Sequence, residues 1–123
     1  MKTIQLLFAM LFAFATIQTA NAQSGKESIM SHSKTQTVKV YGECGMCKSR
    51  IERTARSIDG VKSVSWDQDT KILTLEYSIF KKSVPDDLQR RLAANGHDTE
   101  KYKADDIAYQ KLPDCCHYQR KQL

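Results

Sequence analysis

The chain has 123 residues, 41% hydrophobic and 27% charged, with a formal net charge of +5. Against about 150 residues per domain this allows one domain and excludes a large multidomain enzyme. With 5 glycines and 2 prolines the composition is neither collagen-like nor that of a disordered chain. Four cysteines are too many for packing alone, yet too few and too clustered for a disulfide-stapled miniprotein, so they point to metal or redox chemistry.

Met1 and Lys2 precede an unbroken apolar run at residues 6–15 (LLFAMLFAFA), and Ala20, Asn21 and Ala22 form a small-x-small site. This pattern predicts a secretory signal peptide over residues 1–22, cleaved after Ala22. A membrane anchor would need about 20 apolar residues, and Gln18, Thr19 and Asn21 interrupt too early. The expected location is therefore periplasmic or secreted, with no stable membrane insertion after cleavage. Without Lys2 the mature chain carries 18 basic against 14 acidic side chains. So small and scattered an excess, with a single tryptophan and no aromatic-basic ladder, excludes nucleic acid as the expected partner.

Residues 23–34 are polar and without period, which predicts a flexible leader. Alternation at residues 37–41 predicts a first strand ending at Gly42. Ile51, Ala55 and Ile58 recur at helical spacing with Arg50, Glu52, Arg53 and Arg56 on the other face, which predicts a helix over about 46–58 stopped by Asp59 and Gly60. Glu52 and Arg56 are placed to pair at i,i+4. Val64 and Trp66, then Leu73, Leu75 and Tyr77, alternate with polar residues and predict a hairpin turning at 67–70. Ser83 as N-cap, Pro85, Asp86 and Asp87 open a second helix carried by Val84, Leu88 and Leu92 and ended at Asn95 and Gly96. A fourth strand over about 97–103 is weakly patterned and rests partly on what the sheet needs. The order predicts an α+β, ferredoxin-like βαββαβ fold: a four-stranded antiparallel sheet ordered 4-1-3-2, with both helices on one face. Residues 104–123 are an extension that such a sheet does not require, and they hold the other two cysteines.

Cys44 and Cys47 stand three positions apart where a strand passes into a helix. The helix N-terminus, Lys48 and Arg50 favour thiolates there. Two thiolates on a loop suit Cu(I) first, and would also accept Hg(II) or Zn(II). A plain disulfide or a pair of buried thiols is the alternative. The motif with its flanks (V-x-V, then Cys44, Cys47 and Ile51, then Gly60, Val61 and Val64, then Asn95, Gly96 and His97) resembles the heavy-metal-associated domain family of copper chaperones, metal-ATPase leader domains and periplasmic mercury-binding proteins, over residues 37–103 within an expected domain of 35–103. The resemblance implies one soft ion held between Cys44 and Cys47 and handed to a partner by ligand exchange. The family commonly has Gly-Met-x before the first cysteine, whereas Tyr41, Gly42 and Glu43 stand here and Met46 falls between the cysteines. Met46 is expected to pack in the core beneath the loop, the alternative being a thioether donor.

In the expected topology His97 lies beside the C-x-x-C loop, as a third ligand, a cation tuning the thiolates, or an exposed turn histidine. Cys115 and Cys116 are adjacent and so seldom bridge each other. The 11 residues 104–114 reach up to roughly 36 Å, enough to bring the pair back to the motif as further ligands or as disulfide partners. Leu112 to Cys116 resembles the Leu-Pro-x-Cys-Cys ending of extended, exported members of the family. Three functions follow: a non-enzymatic soft-metal carrier or scavenger; a thiol–disulfide oxidoreductase using C-G-M-C; and a structural zinc site closing the tail. The carrier is the leading expectation. Its partners would be the metal ion and a metal-transporting membrane protein, with Lys48, Arg50 and Arg53 as a docking face or as ordinary solvated surface. Metal-bridged dimers are allowed.

Overall fold

The computed structural model describes residues 32–122. The expected signal peptide, and the leader up to residue 31, lie outside the described residues. Strand β1 (Ser33–Lys39) leads to helix α1 (Gly45–Arg56), strands β2 (Val61–Trp66) and β3 (Ile72–Ser78), helix α2 (Val84–Ala94) and a short helix α3 (Asp106–Gln110), followed by a 3-10 turn at Asp114–Cys116.

The described sheet has three strands, ordered β1-β3-β2, both pairs antiparallel. Val38 faces Leu73 across one pair, and Trp66 faces Leu73 across the other. Alternation puts Val38, Val64, Trp66, Leu73, Leu75 and Tyr77 into one core with Ile51 and Ala55 of α1 and Val84, Leu88 and Leu92 of α2. The strand partners Thr37, Ser63, Ser65 and Thr74 are exposed. β1 starts earlier than its apolar pattern suggests, because its polar half pairs through backbone along the full length of β3 and Ser33 Oγ donates to Glu76 at 2.6 Å. The turn between β2 and β3 is held by Asp67 Oδ1, which accepts from the backbone N–H groups of Asp69 and Thr70.

The four-stranded sheet is corrected at its edge. The segment expected as a fourth strand contributes one isolated bridge, Thr99 to Val40, flanked by Tyr41 N–H to Asp98 O at 2.9 Å and Glu100 N–H to Lys39 O at 3.0 Å. Beyond it Thr99 N–H donates to Tyr102 O at 2.8 Å, so the backbone turns into itself instead of running on beside β1. The position is that of the expected strand; the length is not. Ser83 occupies the cap of α2 but its hydroxyl makes no cap bond, and Asp86 and Asp87 N–H donate to its carbonyl instead.

After Ala104 the chain folds back. α3 passes over the turn at Gly96, whose φ is +100 and where a Cβ would lie 2.6 Å from the Ala108 carbonyl oxygen. Only glycine allows both the left-handed backbone and this approach. Buried Tyr118 accepts from Asp98 N–H at 2.7 Å and donates to Gly96 O at 2.6 Å, while Tyr109 Oη donates to the Tyr118 carbonyl at 2.7 Å. Asp98, fully buried, accepts from Ala104 N–H, Lys121 N–H and the Arg120 guanidinium, and so ties both ends of the tail. Among the described residues no helix is long and apolar enough to cross a membrane.

Candidate metal centre

Cys44 is the N-cap of α1, extended at φ −126 and ψ 174, and Cys47 opens the buried stripe continued by Ile51 and Ala55. This phase decides Met46. With 47, 51 and 55 turned inward, position 46 faces solvent and its side chain is 52% exposed. Met46 therefore does not pack beneath the loop. Trp66 fills that place: a Cβ on Gly42 would stand 3.0 Å from its ring and 3.1 Å from Cys47 Cβ, so Gly42 lets the loop lie on the indole.

The two motif sulfurs are 3.7 Å apart, and Glu43 N–H donates to Cys47 Sγ at 3.4 Å. The tail brings Cys116 Sγ to 3.6 Å from Cys44 Sγ, and the sulfurs of Cys44, Cys115 and Cys116 all lie within 4.8 Å of one another. All four cysteines are free thiols, with Cys47 and Cys116 buried, Cys44 half-buried and Cys115 exposed. Burial alone would raise the Cys44 thiol; hydrogen bonding from the Cys115 thiol, the facing Cys47 backbone N–H and the Cys116 and Cys47 thiols outweighs it and brings the group down to about 6. Burial pushes the Cys116 thiol up, and its neighbours Cys47 and Cys44 push it further. Cys115 is also raised, first by donating to Cys44. At neutral pH Cys44 is thus a thiolate beside the raised thiols of Cys115 and Cys116.

A prediction follows for the reduced, metal-free protein. Alkylation of Cys44 by iodoacetamide should rise with pH about a midpoint near 6, because the reactive species is the thiolate, while Cys116 stays unlabelled until the chain unfolds. Peptide mapping after timed labelling reads both.

His97 is fully buried and stands outside the sulfur group. Its Nδ1 lies 2.9 Å from the Tyr41 carbonyl, which can only accept, so Nδ1 carries the proton and Nε2 is a bare, unpartnered lone pair. Burial, aided by the Arg50 charge, holds the ring below its usual titration range and therefore neutral at pH 7. Stacked on Tyr118 with centroids 5.9 Å apart, it braces the backbone that enters the metal loop. Of the expected docking cations, Lys48 is engaged by Glu52 at 2.9 Å and by the Trp66 carbonyl, Arg50 is half-buried, and Arg53 is exposed. The predicted pair of Arg56 with Glu52 forms at 3.0 Å. Sequence reasoning missed Tyr118, Asp98 and Arg120, whose roles depend on contacts across the returned tail.

Comparison with known proteins fits this frame. A heavy-metal-associated domain model matches residues 37–98, a span that includes Cys44, Cys47 and His97 and ends before the tail cysteines. A solved CopZ metallochaperone is 25% identical at a TM-score of 0.50, covering 54% of this chain and 98% of its own. The solution structure of a ZiaAN sub mutant is 35% identical at 0.47, covering 55% and 94%. Oxidized MerP from Ralstonia metallidurans CH34 is 23% identical at 0.46, covering 55% and 96%. No curated protein matches the chain significantly. With the family model spanning half of the sequence around the C-x-x-C loop, the chain belongs to the heavy-metal-associated domain family.

Proposed function

We propose that this protein is an exported, non-enzymatic soft-metal binder that takes up a thiophilic ion at Cys44 and Cys47, Cu(I) before Hg(II) or Zn(II), and releases it by thiolate exchange. The observation that carries the reading is the 3.7 Å pair at the start of α1, with one member held as a thiolate near neutral pH. Family membership and the likeness to a metallochaperone support it.

The chemistry runs through the loop. The Cys44 thiolate, half-buried at the N-terminus of α1, receives the ion first, and Cys47 closes on it from the first turn of the helix. Soft sulfur favours Cu(I) over the harder ions of the surrounding solution. Departure is the reverse exchange, with an incoming thiolate of an acceptor, such as a metal-transporting membrane protein, replacing one sulfur at a time. The apolar run at residues 6–15 and the small-x-small site at Ala22 support export.

Anaerobic titration of the reduced protein with Cu(I) against a chromophoric chelator tests the reading. Tight capture that vanishes in Cys44→Ser/Cys47→Ser is the expected result; failure of the unsubstituted protein to compete would overturn it. A second reading, thiol–disulfide exchange, is favoured by the same low-pKa Cys44 with Cys116 at 3.6 Å as a resolving thiol. It predicts turnover of a disulfide substrate by the metal-free protein, which the metal carrier lacks.

A further inference from the structure

The matched domain ends at residue 98, yet the sulfur cluster does not. We propose that Cys115 and Cys116 are donors to the same soft ion as Cys44 and Cys47, so that the chain caps its own metal site with a closed sulfur shell. The proposal rests on the reading of Cys44 and Cys47 as the metal-binding pair.

Spacing is the first argument. A linear two-sulfur site holds its sulfurs about 4.6 Å apart, twice a metal–sulfur bond of about 2.3 Å, whereas the edge of a tetrahedral sulfur site is about 3.8 Å. Cys44 lies 3.7 Å from Cys47 and 3.6 Å from Cys116, which are edges of a shell and not the ends of a line. Cys115 completes a three-sulfur group with Cys44 and Cys116 within 4.8 Å, and Cys47, outside that group, adjoins it through Cys44 at 3.7 Å.

The second argument is that the tail is placed by contacts independent of sulfur. Tyr118 is locked between Gly96 and Asp98, Arg120 is paired to Asp98 at 2.9 Å, and Leu112 is buried beside the Gly96 turn. These anchors stand on both sides of Cys115 and Cys116 and set the pair at the loop whether or not the thiols attract each other. Cys116 is fully buried, so its sulfur cannot be offered to solvent or to a second protein without moving the tail; it faces the loop. Cys115 is exposed and is the sulfur that an incoming thiolate displaces first.

Cu(I) X-ray absorption on the reduced protein counts the sulfurs. The expected result is more than two sulfur neighbours per ion in the unsubstituted protein, with one ion per chain and a monomer by light scattering. The count should fall to two in Cys115→Ser/Cys116→Ser, with roughly 10-fold or more loss of affinity against the chelator. Exposed Cys115→Ser alone, which removes no buried contact, should lower the count by one and guards against a double variant that fails to fold. Two sulfurs in the unsubstituted protein, or additional sulfurs supplied only by a dimer, would overturn the proposal and leave the motif pair standing. Undiminished binding in Cys44→Ser/Cys47→Ser would overturn the motif reading itself, and this proposal with it.

Discussion

Replacing Trp66 by alanine is expected to destabilise the protein by about 3–5 kcal/mol, the range for removing a buried aromatic from a packed core. The indole is fully buried and links two parts of the fold. Its Nε1 donates to the Val40 carbonyl at 3.0 Å, at the end of β1, and its ring supports Gly42 below the metal loop, while the backbone N–H of residue 66, which donates to Glu52 of α1 at 2.9 Å, is kept in the variant. Trp66→Phe separates these effects. It retains most of the ring but loses the donor to Val40, which should cost about 1 kcal/mol for the bond plus the smaller volume. Urea unfolding followed by far-ultraviolet circular dichroism measures both, since Trp66 is the only tryptophan and its fluorescence disappears with it. Equal losses in the two variants would assign the effect to the hydrogen bond instead of to packing. The alanine variant should also bind Cu(I) more weakly, because the loop loses its floor.

What was legible in the sequence follows the range of the interactions involved. The C-x-x-C loop, α1 and the hairpin are local: Cys44 at the N-cap, Ile51 and Ala55 on one face, and Asp67 in the turn each act within a few residues, and each could be read from spacing. The His97 turn was placed beside the loop by topology alone, and its contact with Tyr41 agrees. The core position expected for Met46 rests on a methionine common in the family, whereas the phase of α1 and the bulk of Trp66 decide the packing. The fourth strand is shorter than its expected range because the Thr99 backbone N–H donates to the Tyr102 carbonyl. The tail was the least legible part. Chain length permitted Cys116 to return to Cys44, but the position is fixed by polar contacts across about twenty residues, Tyr118 with Gly96 and Arg120 with Asp98, and such pairs leave no periodicity to read.

Replacing Asp98 by alanine is expected to release that tail at a cost of about 3–5 kcal/mol, the range for breaking a buried ion pair on one side. The carboxylate is fully buried and Arg120 retains only 19% of its side-chain exposure, so the loss strands a guanidinium as well as the N–H groups of Ala104 and Lys121. Arg120 keeps its contacts with Asp106 and the Ala104 carbonyl, which places the expected cost toward the lower figure. Burial by itself would raise the Asp98 carboxyl, but Arg120 and the two backbone donors overcome this and hold it below its ordinary value. The sign of the pH dependence follows. Asp98 stabilises the tail fully above the unfolded carboxylate value of about 4, and this contribution is lost as pH falls below it through the folded value. Thiol labelling at neutral pH reads the release in the variant, where Cys116 should become reactive in Asp98→Ala. In the unsubstituted protein, whose thiols are protonated and inert in acid, urea unfolding below and above about pH 4 reads the lost contribution. Asp98→Asn keeps the volume and removes the charge, so its tail should be loosened at all pH values without the acid step. If Cys116 stays protected in both variants, Tyr118 and Leu112 alone hold the tail against the loop, and the ion pair is dispensable to the sulfur cluster.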